Sequence, residues 1–498
     1  MSTKSITKAT IISYVAIFAN IAISFFYTPW MIRKIGVSDY GLYHLTISFV
    51  SYFLLDFGLS AAVQRFIAKY RAEGDEDKVA KMVGLTTRVY LIIDIVIFIV
   101  LFVLYFFINY VFTGLTPDEI ERLKDLYLIA SIFSVLNFLF KPMDGAMMAY
   151  ELFVEERVLE LVSKVGIVVL VCIALALGAN VYALVLINSA TTLLVSIIKY
   201  IVFKRKTRLS IQWRYYEKNE LKSIFSFSVW AFVSMLAQRL RFSLIPTVLG
   251  ILSNSDQIAI FALGSSLEGM VYVLSTGLNG LFLPKVSRLV YSDSRESLID
   301  LMIRVGRIQL FLFCLIFFGF VIIGKDFILL WVGEHFYNVY FILIFLIISN
   351  LISLTQQIAN DLVLVENQIR NTSIIIFATS LFGLVIACIL APKLGAVGCA
   401  IGTGTGLCIH QIVINIFYSR VMGLDIKRFF KECHLKIMPV TIIFATASYF
   451  IMQLFSISTW LKLMIAGAIY AGLYLAICFY FMFTEEEKNI CKSLIHKR

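Results

Sequence analysis

Leu91–Phe107 reads LIIDIVIFIVLFVLYFF. Apolar residues follow one another here without the alternation that a strand of a transmembrane barrel requires, so the run predicts a helix crossing a bilayer. The rest of the chain is of the same kind. Of its 498 residues 60% are apolar and only 15% charged, against roughly 45–50% and 25% in soluble domains. A soluble chain of this length would form several domains, each needing a charged surface, so a mean hydropathy of +0.89 excludes a soluble enzyme, a disordered chain and a fibrous protein. Long apolar runs with 7 Pro and 27 Gly give the fold class, an all-α polytopic membrane protein.

At roughly 20 apolar residues per crossing, about fourteen spans are expected. Numbered in chain order, their approximate limits are 8–32, 40–67, 82–112, 124–148, 153–178, 181–203, 222–251, 256–287, 299–324, 337–364, 371–391, 395–419, 435–456 and 459–483. Residues 327–331 read as a short interfacial stub after span 9. Met1–Thr10 is basic, and the apolar stretch after it is too long for a signal peptide and lacks a small-residue cleavage site, so span 1 is expected to be uncleaved. The 8 Cys lack the close pairs of a zinc or disulfide framework and read as reduced packing residues.

An even number of spans puts both termini on one side, and the basic residues say which. Loops on one side hold Arg33, Lys34, Arg122, Lys124, Lys325, Lys393 and Lys462, while Lys164, Arg239 and Arg241 fall within spans. The other side carries about 33 of the 43 Lys and Arg, which makes it the cytoplasmic one. Its densest run is Lys204, Arg205, Lys206, Arg208, Arg214, Lys218 and Lys222. Beside membrane spans, such charge and the net +11 serve topology and attraction to anionic headgroups rather than nucleic acid.

A shift of 217 positions lays Pro29 on Pro246 and Ser38-Asp39 on Ser255-Asp256. Six spans separate spans 1 and 7, so the repeat is parallel, with its axis along the membrane normal. The expected division is an N-lobe of spans 1–6 over 1–204, a basic linker over 205–221, a C-lobe of spans 7–12 over 222–420, and spans 13 and 14 with a cytoplasmic tail over 421–498. Spans 1, 2, 7 and 8 are expected to line a path between the lobes.

The run Tyr27-Thr28-Pro29, Ile32-Arg33-Lys34-Ile35-Gly36, Asp39-Tyr40-Gly41-Leu42-Tyr43, Asp56-Phe57-Gly58-Leu59 and Arg65 to Lys69 resembles the opening of bacterial polysaccharide flippases of the O-antigen type. These belong to the multidrug/oligosaccharidyl-lipid/polysaccharide exporter superfamily. The resemblance is most specific over residues 10–70 and implies translocation of an oligosaccharide on undecaprenyl diphosphate from the inner to the outer leaflet by alternating access of two lobes. It also implies the bacterial cytoplasmic membrane as the location, cell-surface polysaccharide assembly as the setting, and polymerase or ligase machinery as partners. Lipid II flippases of the superfamily carry several arginines in helices 1 and 2, whereas span 1 has none between Lys8 and Arg33. A cation-coupled multidrug exporter is the other relative to weigh, and acids would then dominate its cavity.

Ionisable residues inside spans face a cavity or a partner, because each costs about 2.5–3.5 kcal/mol at the bilayer centre on insertion scales. Ser234, Gln238 and Arg241 share one face of span 7; Arg239 lies about 200° away unless the helix is distorted near Pro246. The arginines suit a diphosphate, since the guanidinium fork binds bidentately and stays charged, or they pair with Glu268. Glu268, Tyr272, Ser275 and Asn279 form a polar face on span 8, and Ser48, Tyr52, Asp56, Ser60 and Gln64 another on span 2. Each lines a cavity or holds helices together. Arg65 joins the substrate-binding candidates, although near a span end it also reads as reaching headgroups.

Lys141 with Asp144 and Glu160 with Lys164 stand at pairing distance along a helix. Glu160, and Asp361 on the stripe Asn350, Ser353, Gln357 and Asp361, are the candidates for ion coupling. Arg304 and Arg307 share a face near the start of span 9, where they guide an entering phosphate or serve topology. No Gly-rich loop ending in Gly-Lys-Ser/Thr and no His-Glu-x-x-His is present, so neither an ATP-driven pump nor an enzyme is expected, and no cofactor or metal. A membrane-embedded polymerase or glycosyltransferase would carry large external loops, and these loops are short.

Overall fold

The computed structural model describes residues 21, 23–54, 56, 58–209, 212, 215, 217, 218, 220, 221, 232, 233, 235–237, 239–276, 282–291, 294–485, 487 and 488. Among them every regular element is helical. Nine helices among the described residues are long and apolar enough to cross a membrane. Two spans are fused in Ile369–Arg420, which turns at Gly395 with φ 55° just after Pro392, where spans 11 and 12 were expected to part.

The expected spans are otherwise interrupted where polar groups or proline compete for the backbone. Span 2, expected as one helix over 40–67, is two, Val37–Ser51 and Leu59–Ala72. The Asp56 carboxylate accepts from the Ser60 N–H at 3.1 Å, and Gly58 adopts a left-handed φ of 71° before the second helix. A side chain that satisfies the first N–H groups of a new helix ends the old one, so the five polar residues of span 2 do not form one continuous face. Span 4 runs from Pro117 to Phe138 and restarts at Pro142–Ala149, because proline has no N–H to continue the ladder. Span 7 contains a π-helical turn over Arg239–Ser243 just before Leu244–Leu252, the distortion near Pro246 anticipated above.

In the span 8 region the described residues form the helices Ser255–Thr276 and Leu283–Tyr291, and residues 277–281 lie outside the described residues. The span 10 region is broken into Val339–Ile347, Asn350–Ser353, Leu354–Gln356 and Gln357–Val365. Residues 327–331 are no interfacial stub: span 9 continues through them as the single helix Arg295–Trp331, since Gly324-Lys325-Asp326, which separates them from the longer apolar run, contains no proline to end the ladder.

The chain divides into two compact units, Met1–Ala262 with Ile376–Cys399, and Leu263–Ile375 with Ala400–Arg498. In the first, the two serines equated by the 217-residue shift meet. Ser255 Oγ lies 3.2 Å from Ser38 Oγ, and both donate to Oε1 of Glu119. Glu119 also closes a capping box with Thr116, accepting the Thr116 N–H at 2.9 Å. Gly41 permits this approach, for a Cβ there would stand 2.1 Å from the Ser255 carbonyl oxygen. In the second unit, Arg307 is 4% exposed and holds Glu487 through Nε and Nη2 at 2.8 and 2.9 Å; it also donates to the carbonyls of Glu432 and Met482 at 3.0 and 2.7 Å. That staple ties span 9 to the segments flanking spans 13 and 14. The expectation that Arg307 guides phosphate is therefore corrected, because its donors are taken by the protein itself.

Candidate functional site

Spans 4, 5 and 6 each carry polar residues. Asn188, Thr192, Ser196 and Lys199 fall at i, i+4, i+8, i+11 of the unbroken helix Val181–Thr207, which is one face, while Ser134 and Asn137 stand near the end of Pro117–Phe138 and Lys141 and Asp144 at the start of Pro142–Ala149. These segments and span 5 enclose a cavity of about 490 Å³ in the first unit, lined by Asn137, Lys141, Asp144, Arg157, Glu160, Ser163, Lys164, Thr192, Ser196 and Lys199. A second hollow of about 210 Å³, lined by Ser51, Ser134, Asn137, Asn188, Ser189 and Thr192, shares Asn137 and Thr192 with it. A third, of about 330 Å³, shares Lys164; Tyr27, Tyr43 and Asn188 line it among Ile23, Leu161, Val165, Val168, Val171 and Leu184. Hydroxyls and amides on common walls are the groups that bind sugar hydroxyls. Asn137 contributes a buried Oδ1 with no hydrogen-bond partner among the described residues.

The charges in the first cavity are unevenly compensated. Asp144 is gripped at 2.9 Å by Lys141 through one oxygen and at 2.9 Å by Lys199 through the other, and Lys199 also lies 3.9 Å from Glu156. The expected Lys141–Asp144 pair is thus present, as part of a larger cluster. The expected Glu160–Lys164 pair is not: Glu160 binds Arg157 at 2.8 Å. Three residues on the helix serve as well as four, and Arg157 offers the wider fork. Lys164 is left without an acid among the described residues. It stands 11 residues into the helix Phe153–Ala176, or about 16 Å at 1.5 Å per residue, near the middle of the span.

The other expected residues are dispersed. Ser234, Gln238 and Asn279 lie outside the described residues, as does the Arg241 side chain. Arg239 donates to Ser51 Oγ at 3.0 Å, which places it beside the second hollow, and to Ser243 Oγ at 3.4 Å. Tyr52 bonds the Ser243 carbonyl and lies 2.8 Å from Thr247 Oγ1, joining spans 2 and 7. Asp56 is 9% exposed and accepts from Tyr90 and Ser60, so the protein satisfies it. Arg65 is exposed on the helix Leu59–Ala72. In the second unit Glu268 is 8% exposed and accepts from Asn350 at 2.9 Å, while Tyr272 is 44% exposed. Asp361 is half-buried and has no hydrogen-bond partner among the described residues.

Sequence reading missed Asn137, Asn188, Thr192 and Lys199. Their spacing was the available signal, but single amides and hydroxyls in apolar helices attract less notice than arginines. No group of three or more His, Cys, Asp or Glu that suits a metal ion occurs among the described residues.

Comparison with known proteins gives a consistent picture. The family model described as polysaccharide biosynthesis protein matches residues 6–290. A curated Bacillus subtilis (strain 168) protein described as uncharacterized membrane protein EpsK is 19% identical over 492 residues, covering 97% of this chain and 96% of its own. Among solved structures, lipid II flippase MurJ in an inward closed conformation superimposes with a TM-score of 0.71 at 16% identity, covering 94% of this chain and 99% of that one. An inward-facing multidrug resistance MATE family transporter gives 0.66 at 14% identity, covering 81% and 96%. At such identities the likeness is one of fold.

Proposed function

Because the chain belongs to the polysaccharide biosynthesis protein family, we propose that it is a flippase carrying a polyprenyl-diphosphate-linked oligosaccharide from the inner to the outer leaflet of the bacterial cytoplasmic membrane. Both termini are cytoplasmic, and transport proceeds by alternating access. One observation carries this reading beyond the family: a cavity within the membrane-spanning bundle whose walls combine sugar-binding hydroxyls and amides with four cations, Lys141, Arg157, Lys164 and Lys199, against two acids, Asp144 and Glu160. An excess of fixed positive charge suits an anionic lipid-linked saccharide and repels the cationic amphiphiles of a drug exporter. Arg239, beside Ser51, adds a guanidinium at the edge of the same system of hollows. Of the two acids expected to couple an ion, Asp361 keeps an unengaged carboxylate and is the one assigned here; Asp361→Asn removes the dependence of transport on a cation gradient in reconstituted vesicles.

The test is cellular. Removing the protein leads to accumulation of one lipid-linked oligosaccharide on the inner leaflet, and re-expression clears it. Unchanged amounts and sidedness of every lipid-linked saccharide would end the proposal. The lipid II alternative predicts accumulation of lipid II instead.

A further inference from the structure

Lys164 is the cation whose position the rest of the cavity leaves unexplained. Lys141 and Lys199 share Asp144, and Arg157 holds Glu160; Lys164 lines two hollows and has no acid among the described residues. A charge at mid-span without a protein counter-ion is stable only where water or an anionic ligand supplies one. The two hollows meeting at Lys164 differ in kind. On one side are Asn137, Ser163, Thr192 and Ser196 with the lysine–aspartate cluster. On the other, Leu161, Val165, Val168, Val171 and Leu184 dominate, with Tyr27 and Tyr43. Span 5 continues this apolar character outward, exposing Val162, Val165, Val169, Leu170 and Ile173, as a helix facing acyl chains does.

An anion that has sugar on one side and hydrocarbon on the other is the diphosphate of a prenyl-linked saccharide. We infer that Lys164 anchors that diphosphate midway through the membrane, with the proximal sugar toward Asn137 and Thr192 and the first isoprene units toward Val168, Val171 and Leu184. This rests on the flippase reading and names the residue that neutralises the substrate there. Asp144 has a matching task. By occupying Lys141 and Lys199 it keeps the sugar-side wall from competing for the same diphosphate, so the anion settles at the boundary between the two hollows.

Equilibrium binding to the purified full-length chain in detergent tests this with three probes: geranyl diphosphate, inorganic pyrophosphate and geraniol. Geranyl diphosphate is expected to bind tightest, since it alone offers both the anion and the isoprene units. Lys164→Gln should weaken geranyl diphosphate and pyrophosphate at least tenfold while leaving geraniol unchanged, and Lys164→Arg should stay within about threefold of the parent because the charge is kept. Unfolding temperatures within a degree or two of the parent identify variants fit for comparison, and the Lys164→Arg protein provides the folded control if Lys164→Gln falls outside them. Geranyl diphosphate binding unchanged in Lys164→Gln would overturn the assignment. Equal binding of geraniol and geranyl diphosphate would also overturn it, as would displacement of the diphosphate probe by glucuronate but not by pyrophosphate, which would mark a sugar carboxylate site. Failure here is separable from failure of the flippase reading. Cells carrying Lys164→Gln that export the saccharide normally refute Lys164 alone, whereas cells lacking the protein that accumulate no lipid-linked saccharide refute the function.

Discussion

Arg307 in the second unit and Lys164 in the first are two cations in membrane-spanning helices that the protein treats in opposite ways. In the second, Arg307 is enclosed by Glu487 and two carbonyls, and Glu268 meets Asn350. His434 lies 3.2 Å from the Leu351 carbonyl. A hollow there, about 450 Å³, is walled chiefly by Ile348, Ile352, Cys408, Ile412 and Phe430, with Ser349, Gln411 and Asn415. In the first unit one hollow is mainly polar and its neighbour mainly apolar, and the lysine they share, Lys164, has no acid among the described residues. Residue type and depth do not separate the two cases, since Arg307 and Lys164 both read from sequence as cations in or near spans. The difference is whether the protein supplies the counter-ion, which is what distinguishes a structural charge from one kept for a ligand.

The largest effect expected from breaking this contrast is in the second unit. Arg307→Ala leaves Glu487 and two carbonyls without their donor and should lower stability by about 3–5 kcal/mol, measured by chemical unfolding in detergent. Loss of transport should follow the loss of folded protein, and specific activity per folded molecule should hold. If instead the variant were stable but inactive, Arg307 would belong with the substrate cations.

In the first unit, Asp144→Asn removes the carboxylate shared by two lysines. A stability loss of about 1–3 kcal/mol is expected, together with tighter binding of pyrophosphate, because Lys141 and Lys199 become free to hold it. Weaker pyrophosphate binding would show that the lysines need Asp144 for their placement more than they are restrained by it.

Glu119→Gln tests the joint between Ser38 and Ser255. Glutamine preserves the capping box but offers a single acceptor oxygen, so a cost of about 1 kcal/mol is expected. A cysteine engineered at position 40 should then react faster with an impermeant thiol reagent added from outside; an unchanged rate would limit Glu119 to a local cap. The smallest effect belongs to Glu160→Gln. Its pair with Arg157 is 46% and 40% exposed at the two side chains, so stability should change by less than about 1 kcal/mol, and transport driven by an ion gradient should persist.

Much of the fold was legible because lipid imposes a simple rule: a helix must be long, apolar and internally hydrogen-bonded. The break between spans 11 and 12 at Pro392 and Gly395 followed from sequence. The two serines equated by the 217-residue shift share Glu119. Interruptions were less legible. Asp56 and Gly58 end one helix and start another because a nearby carboxylate captures an N–H, and apolar run length carries no trace of that competition. Residues 327–331 misled in the opposite sense, since nothing in a local apolar stretch tells a stub from a continuation.

The amino-acid sequence by itself determined the membrane class, the approximate spans and the basic asymmetry, because each depends on composition and periodicity along one chain. Only the tertiary structure decided which charges are spent. Glu160 had two bases within reach on its own helix and took Arg157; Asp144 took a second lysine 55 residues away. Pairing of this kind depends on which helices are neighbours and how their faces turn, and it is pairing that leaves Lys164, facing two cavities, without an acid among the described residues.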